Sequence, residues 1–357
     1  MKHALWLLAL AACTRPGDDR PITEEAVGTA SIADATVNVV DGLAAVRDLS
    51  DHHIELWATA PAISIEVTLG STGAGAWTVI IRNSLHDAVL TVDGAPVARD
   101  PGTRPTVAQF QLALGDGPHT LALAPPDADR MERYRVAAMA DIQQALPTVN
   151  EVFAMINAVP DARFVIGMGD ITDRGEIAEY DLFEQQLGTL DIPFYTTIGN
   201  HELWEPFDRY TDRYGRADFQ FAFKGAAFTF ADSGDAGIDP IVEDWLVDRL
   251  AAAKGKTSVF LTHIPPLDPV GARYGAFRSS RDGHRLVSQL VGAGVDLALY
   301  GHVHTYIPYE NAGIPSYISG GGGAEPMKGD GIDRHFLMVE LDPLNQTIGT
   351  VEVHRVD

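Results

Sequence analysis

The run Arg163-Phe164-Val165-Ile166-Gly167-Met168-Gly169-Asp170-Ile171-Thr172-Asp173-Arg174-Gly175 decides the architecture of the second half of this chain. Its first part, Arg163–Met168, is a short, mostly apolar segment of strand length. Gly169 to Gly175 then break the run with glycine and aspartate, and an amphipathic segment follows at Ile177–Leu190. The same strand, polar loop and helix unit recurs on both sides. Strands are predicted at Val136–Ala140, Pro193–Ile198, Thr257–Thr262 and Val295–Tyr300. Helical spacing is carried by Val149, Val152, Phe153 and Ile156, by Ile241, Trp245, Leu246 and Leu250, and by Arg285–Val291. Alternating strands and helices predict an α/β domain whose sheet is largely covered by helices. The C-terminal strands Ser316–Ser319, Phe336–Leu341 and Ile348–His354 read as hairpins.

Five polar clusters fall where predicted strands end. They are Asp141-Ile142-Gln143, Gly169–Gly175, Gly199-Asn200-His201-Glu202, Thr262-His263-Ile264-Pro265-Pro266 and Gly301-His302-Val303-His304. In open α/β sheets ligands collect outside the carboxyl ends of the strands, so these loops share one crevice. They offer Asp141, Asp170, Gln143, Asn200 and the histidines His201, His263, His302 and His304, an oxygen and imidazole set that suits Mn, Fe or Zn. Each cluster alone has a plainer reading. A His pair can be buried and hydrogen-bonded, Asp170 or Asp173 can cap a helix, and Asn200 can sit in a turn. Their joint occurrence at successive strand ends favours a metal site. Gly320–Gly323 reads as a flexible turn beside it, because no helix clearly follows to cradle phosphate.

In order and context the five clusters resemble the calcineurin-like metallophosphoesterase superfamily, over roughly Tyr134 to the C-terminus. The resemblance implies a sandwich of two central β-sheets flanked by helices, with two divalent or trivalent metal ions at its strand ends. Carried over residue by residue, Asp141, Gln143 and His304 hold the first ion and Asp170 bridges both. Asn200, His263 and His302 complete the second. His201 matches the family's non-ligand histidine near the scissile bond, Asp173 its orienting partner, and Arg174 an arginine that contacts phosphate. The implied reaction is hydrolysis of a phosphoester by a metal-bridging hydroxide attacking in line, with His201 as general acid. Gln143 stands where the commonest pattern has histidine, which leans the site toward Mn or Fe over Zn. The absence of a tyrosine ligand from Gly169–Gly175 argues against a purple acid phosphatase.

Upstream, the period changes. Ile63-Ser64-Ile65-Glu66-Val67-Thr68-Leu69 alternates strictly, and further strands are predicted at Ile54–Ala58, Trp77–Arg82, Ala88–Val92, Val107–Leu114 and Thr120–Leu123. Residues 31–128 therefore read as an antiparallel β-sandwich, closed by Pro125-Pro126-Asp127, with the α/β domain at 129–357. The N-terminus joins a basic start to the apolar run Ala4–Ala12, shorter than the ~20 residues that span a bilayer. Leu10-Ala11-Ala12-Cys13 looks like a bacterial lipobox. Residues 1–12 then read as a signal peptide, Cys13 as a lipidation site and 13–30 as a tether. Thr14 lacks the aspartate that favours inner-membrane retention. The expected location is the outer membrane, on its periplasmic or surface side.

Composition narrows the classes. The chain has 357 residues, 46% of them hydrophobic, and a formal charge of −23. Such acidity argues against a nucleic-acid footprint, which needs clustered Lys and Arg. One cysteine can form neither an intrachain disulfide nor a thiolate zinc site. The expected partners are a small-molecule phosphoester, either a diester or a monoester, and a membrane reached only through Cys13, with no obligate protein partner. Loops Trp204–Tyr214 and Leu267–Arg281 are expected to select the substrate. Two rival classes remain open at this point. One is a ligand-binding lipoprotein with a degenerate site, which only Gln143 supports. The other is an adhesion or carbohydrate-binding protein working through the β-sandwich.

Overall fold

In strand Ile63–Leu69 every second residue is buried, as strict alternation requires when one face packs on a core and the other meets solvent. The computed structural model describes residues 20–271, 275–326 and 332–356. Ile63–Leu69 lies in a six-stranded sheet ordered Thr29–Ile32, Ala35–Val39, Ile63–Leu69, Gly117–Ala124, Val89–Val92 and Ala95–Val97. A four-stranded sheet of Ala44–Ser50, His53–Ala58, Gly75–Arg82 and Val107–Leu114 faces it. Val37, Ile65, Val67 and Leu121 of the first meet Ile54, Leu56, Val79 and Phe110 of the second in one buried cluster.

The sandwich is not wholly antiparallel, because His53–Ala58 pairs in parallel with Gly75–Arg82. Between them the chain crosses to the other sheet as Ile63–Leu69 and returns, which is the crossover a parallel pair needs. The expected tether also ends early. Residues 20–25 form a helix, and its Glu24 accepts a hydrogen bond from the Ala217 N–H at 2.6 Å. The part of the predicted signal peptide and tether before residue 20, Cys13 included, lies outside the described residues.

The second half is a two-sheet sandwich with helices on both outer faces. One sheet runs Phe194–Thr197, Ala162–Met168, Tyr134–Met139, His335–Asp342 and Thr347–Arg355. The other runs Phe219–Phe223, Ala226–Ala231, Thr257–Thr262, Leu297–Tyr300, Ile314–Ser319 and Tyr306–Asn311. Their inner faces meet around Phe164, whose ring lies 5.5–5.8 Å from those of Phe221, Phe223 and Phe228. Truncating a ring so enclosed to alanine costs about 3–5 kcal/mol. Helices Asn150–Asn157, Ile177–Leu187 and Asp208–Tyr214 cover the first sheet, through Val152, Phe153, Tyr180, Phe183, Tyr210 and Tyr214. Glu243–Ala252 and Ser280–Ala293 cover the second through Leu246, Leu250, Leu286 and Leu290. Ser279 caps the last helix by accepting from the Asp282 N–H, and Gly294 ends it in the left-handed region at φ 76°. The result is an α/β sandwich preceded by an all-β part. Among the described residues no helix is long and apolar enough to cross a membrane.

The two halves are joined at a sheet edge. Phe194–Thr197 is the outermost strand of its sheet, and the Asn83 side chain pairs with it as a further strand residue would. Asn83 donates to the Phe194 carbonyl at 2.8 Å and accepts from the Phe194 N–H at 2.7 Å. Arg47 adds a two-pronged ion pair to Glu184, and Arg163 reaches both Asp87 and Asp127.

Candidate metal centre

All five ligand loops leave strand ends on one side of the α/β sandwich. Asp141 follows Tyr134–Met139, Asp170 follows Ala162–Met168, and Asn200 and His201 follow Phe194–Thr197. His263 follows Thr257–Thr262, and His302 and His304 follow Leu297–Tyr300. Four of the expected ligands adopt the left-handed region: Asp141 at φ 62°, Gln143 at 46°, Asp170 at 52° and His302 at 69°. Side chains other than glycine pay about 1–2 kcal/mol each there, so the fold holds these loops against local preference. Neighbouring glycines make the convergence possible. A side chain at Gly199 would collide with the Asp170 carboxylate, and one at Gly301 would come within 2.7 Å of Asp141 Oδ2.

Ligand atoms of Asp141, Asp170 and His263 all lie within 4.8 Å of one another, and all three residues are buried. Asp170 Oδ2 stands 3.2 Å from His263 Nε2 and accepts from Gln143 Nε2 at 2.8 Å. Asp170 Oδ1 accepts from the His201 backbone N–H at 2.9 Å. Asp141 Oδ2 accepts from the His302 N–H at 2.8 Å, and its Oδ1 stands 3.3 Å from His304 Nε2. Both deep histidines are oriented from behind. His263 Nδ1 donates to the Met168 carbonyl at 2.6 Å and His304 Nδ1 to the Glu325 carbonyl at 2.7 Å, so each turns Nε2 to the carboxylates. Asn200 Oδ1 lies 3.2 Å from His263 Nε2, and the rings of His263 and His302 are 5.3 Å apart.

Electrostatics points the same way. Burial disfavours charge on His263, but the Asp170 carboxylate outweighs it and lifts the imidazole to about 9. Burial raises Asp170, yet His263 and His201 together bring it well below the ordinary carboxylate range. His304 is raised by Asp141 against the cost of burial. Two buried carboxylates demand positive charge, which is why they raise the histidines beside them. A metal cation meets the same demand where the acceptors converge. Asp141 Oδ1 sharpens the test: this buried oxygen has the contact to His304 Nε2 at 3.3 Å but accepts no well-formed hydrogen bond. A carboxylate oxygen left so is costly unless it has a cation to bind. The donor set fits a metal.

Beside the carboxylates, His201 Nδ1 donates at 2.6 Å to the backbone carbonyl of Asp173. The Asp173 carboxylate is 3.8 Å away, so the main chain, not the acid, orients this ring. Arg174 is exposed. Its guanidinium lies over the Trp204 ring at 5.6 Å and 3.7 Å from the Asp173 carboxylate. Gly320–Gly323 is not the loose turn expected. The Gly322 N–H donates to the Ala140 carbonyl and the Ala324 N–H to the Asp141 carbonyl, which makes the loop a wall of the site.

Glu202 is a residue whose role sequence reasoning missed. It is buried, and its carboxylate accepts from the backbone N–H groups of Asp170, Thr172 and Gly199 and from the Thr172 hydroxyl. The available signal was a carboxylate following Gly-Asn-His in a loop packed among apolar strands, where an acid must find donors.

The calcineurin-like phosphoesterase family model matches residues 134–306. Those residues are a calcineurin-like phosphoesterase domain. Across 177 residues the chain is 29% identical to a probable glycerophosphodiester phosphodiesterase GpdQ of Arcobacter nitrofigilis, covering 46% of this chain and 64% of that protein. It is 27% identical to the glycerophosphodiester phosphodiesterase GpdQ of Enterobacter lignolyticus, covering 44% and 61%. The match thus spans less than two thirds of either relative. A solved structure titled GAP50, the anchor in the inner membrane complex of Plasmodium, superposes with a TM-score of 0.48 at 16% identity, covering 63% of this chain and 85% of that one. The phosphoesterase domain contains every residue expected at the metal centre, from Asp141 to His304.

Proposed function

We propose that this chain is a metal-dependent phosphoester hydrolase acting outside the cytoplasm on a phosphodiester or a small-molecule phosphomonoester. The observation that carries the reading is the convergence of Asp141, Asp170 and His263 within 4.8 Å, beside a histidine whose Nδ1 is fixed by a carbonyl. Asp141, Gln143 and His304 would hold one ion and Asn200, His263 and His302 a second, with Asp170 shared. Two such ions, Mn or Fe in preference to Zn, would neutralise charge on the phosphoryl oxygens and lower the pKa of water.

The chain's own groups do the rest. With its Nδ1 proton on the Asp173 carbonyl, His201 turns Nε2 toward the crevice, 4.0 Å from Asp170 Oδ2. From there it can deliver a proton to the departing ester oxygen as the bond to phosphorus breaks. Water supplies the new oxygen on phosphorus, and the products are an alcohol and a phosphate or phosphomonoester. Arg174, exposed at the edge, adds positive charge for an anionic substrate. The GpdQ relatives are named for glycerophosphodiesters, which supports a diester. The lipobox-like Leu10-Ala11-Ala12-Cys13 supports attachment to the outer membrane through Cys13.

The test is hydrolysis of p-nitrophenyl phosphate and of bis-p-nitrophenyl phosphate with Mn²⁺ and with EDTA. Turnover that requires the metal is expected on at least one ester. Absence of metal-dependent turnover on every phosphoester tried overturns the reading.

A further inference from the structure

Trp204 is 60% exposed, and among the described residues it is the one aromatic ring in the set of large exposed apolar side chains. Its indole stacks on the imidazole of His201, with ring centroids 5.2 Å apart and planes 18° from parallel. The Arg174 guanidinium lies over the same indole at 5.6 Å. An exposed tryptophan forgoes the burial that such a ring normally gains, and one held parallel to the proposed proton donor presents apolar surface at that donor's side. From this arrangement we propose that Trp204 is a specificity-determining residue that receives the leaving group, and that the preferred leaving alcohol carries a neutral aromatic ring.

The inference rests on the hydrolase reading and deepens it. The ester oxygen that accepts a proton from His201 must come within hydrogen-bond reach of Nε2. The group attached to that oxygen then extends past the imidazole and meets the indole. A flat ring can lie against it, whereas a small alkyl alcohol leaves it wet. Arg174 decides the charge. A cationic leaving group would face a guanidinium already seated on the ring, while a neutral ring meets no such repulsion.

The experiment uses the full chain reconstituted with Mn²⁺ and measures binding of phenylphosphonate and methylphosphonate by calorimetry. These probes place a ring or a methyl group where the leaving group would sit. A stacked ring of this kind is worth about tenfold in affinity, so wild-type protein should prefer phenylphosphonate by about that factor. Trp204→Leu should erase the preference while still binding methylphosphonate, and Trp204→Phe should keep most of it. In turnover, Trp204→Leu should raise KM for an aryl ester more than for a methyl ester of the same phosphate. Equal affinity for the two phosphonates in wild-type protein, or a preference that survives Trp204→Leu, overturns the role of Trp204 and leaves the hydrolase reading standing. Failure to bind either phosphonate, in protein that shows metal-dependent turnover, overturns this inference alone, whereas absence of turnover on every phosphoester overturns the hydrolase reading and this inference with it.

Discussion

The carboxylate of Glu202 accepts the backbone N–H of Asp170 at 2.9 Å and so ties the loop of one metal-ligand candidate to the loop that carries Asn200 and His201. The same carboxylate takes the Gly199 N–H at 2.7 Å, the Thr172 N–H at 2.9 Å and the Thr172 hydroxyl at 2.8 Å. Glu202→Ala strands these donors in a buried pocket. With each orphaned donor costing about 1–3 kcal/mol and water filling part of the gap, a loss on the order of 3–5 kcal/mol is expected. Urea unfolding measures it, and metal content by mass spectrometry should fall in parallel. A loss below about 1 kcal/mol would show that the loops hold without this clasp.

The partner of His201 sets up a paired prediction. His201→Ala removes the proposed proton donor and should lower kcat by about 10²- to 10⁴-fold, with bound metal unchanged because only its backbone N–H touches Asp170 Oδ1. Asp173→Ala should do far less. Its carbonyl, which holds the imidazole, survives the substitution, and a half-exposed carboxylate 3.8 Å away is worth at most about fivefold. Steady-state kinetics of both variants decides between them. An equal collapse would return the orienting role to the Asp173 carboxylate.

The asymmetry between His201 and Glu202 shows what a sequence carries and what it withholds. Ligand loops were legible because glycine, aspartate and histidine interrupt apolar runs, as Gly169-Asp170 interrupts the strand before it. Ile63–Leu69 was legible because one buried face enforces period two. Helix Asp208–Tyr214 was not, since Asp-Arg-Tyr-Thr-Asp-Arg-Tyr shows no apolar stripe until Tyr210 and Tyr214 are seen packing under the sheet. Strand Ala44–Ser50 was hidden by Arg47 and Asp48, of which Arg47 reaches Glu184 across the two halves. Phe219–Phe223 shows period two in its order alone, with Phe219, Phe221 and Phe223 on the buried face. Whether Asp173 holds His201 by its carbonyl or its carboxylate depends on side-chain rotation, on which residue order is silent.

Gln143 offers a prediction about metal preference. Its amide lies 2.8 Å from Asp170 Oδ2 and 3.1 Å from His304 Nε2, where an added imidazole would join the same group of donors. Imidazole binds borderline metals better than a carboxamide oxygen does. Gln143→His should therefore hold Zn²⁺ more tightly, by about tenfold or 1.4 kcal/mol, in competition against a chelator. Zn²⁺ affinity that stays the same or falls would mean that residue 143 is not a ligand.

Glu24 and Asp218 are buried acid carboxyls away from the metal centre. Glu24 is buried against Asp218, and it accepts the Ala217 N–H at 2.6 Å and the Asp218 N–H. Burial first and the Asp218 charge second push Glu24 well above its ordinary value of 4.5, and burial with the Asp232 charge does the same to Asp218. An acid whose folded value is raised keeps its proton where the unfolded chain has lost it. The stability it confers is therefore present below the unfolded value and is lost as pH rises toward the folded one. Glu24→Gln stays neutral, and its Oε1 can still accept the Ala217 N–H. Arg20, Asp232 and Asp235, which surround the pair through the 2.7 Å and 2.6 Å contacts of Arg20, are present in both proteins and cancel in the comparison. Between about pH 5 and about pH 8 the urea midpoint should thus fall less in the variant than in the wild type. Equal slopes would show that Glu24 titrates in the folded protein as it does in the unfolded chain.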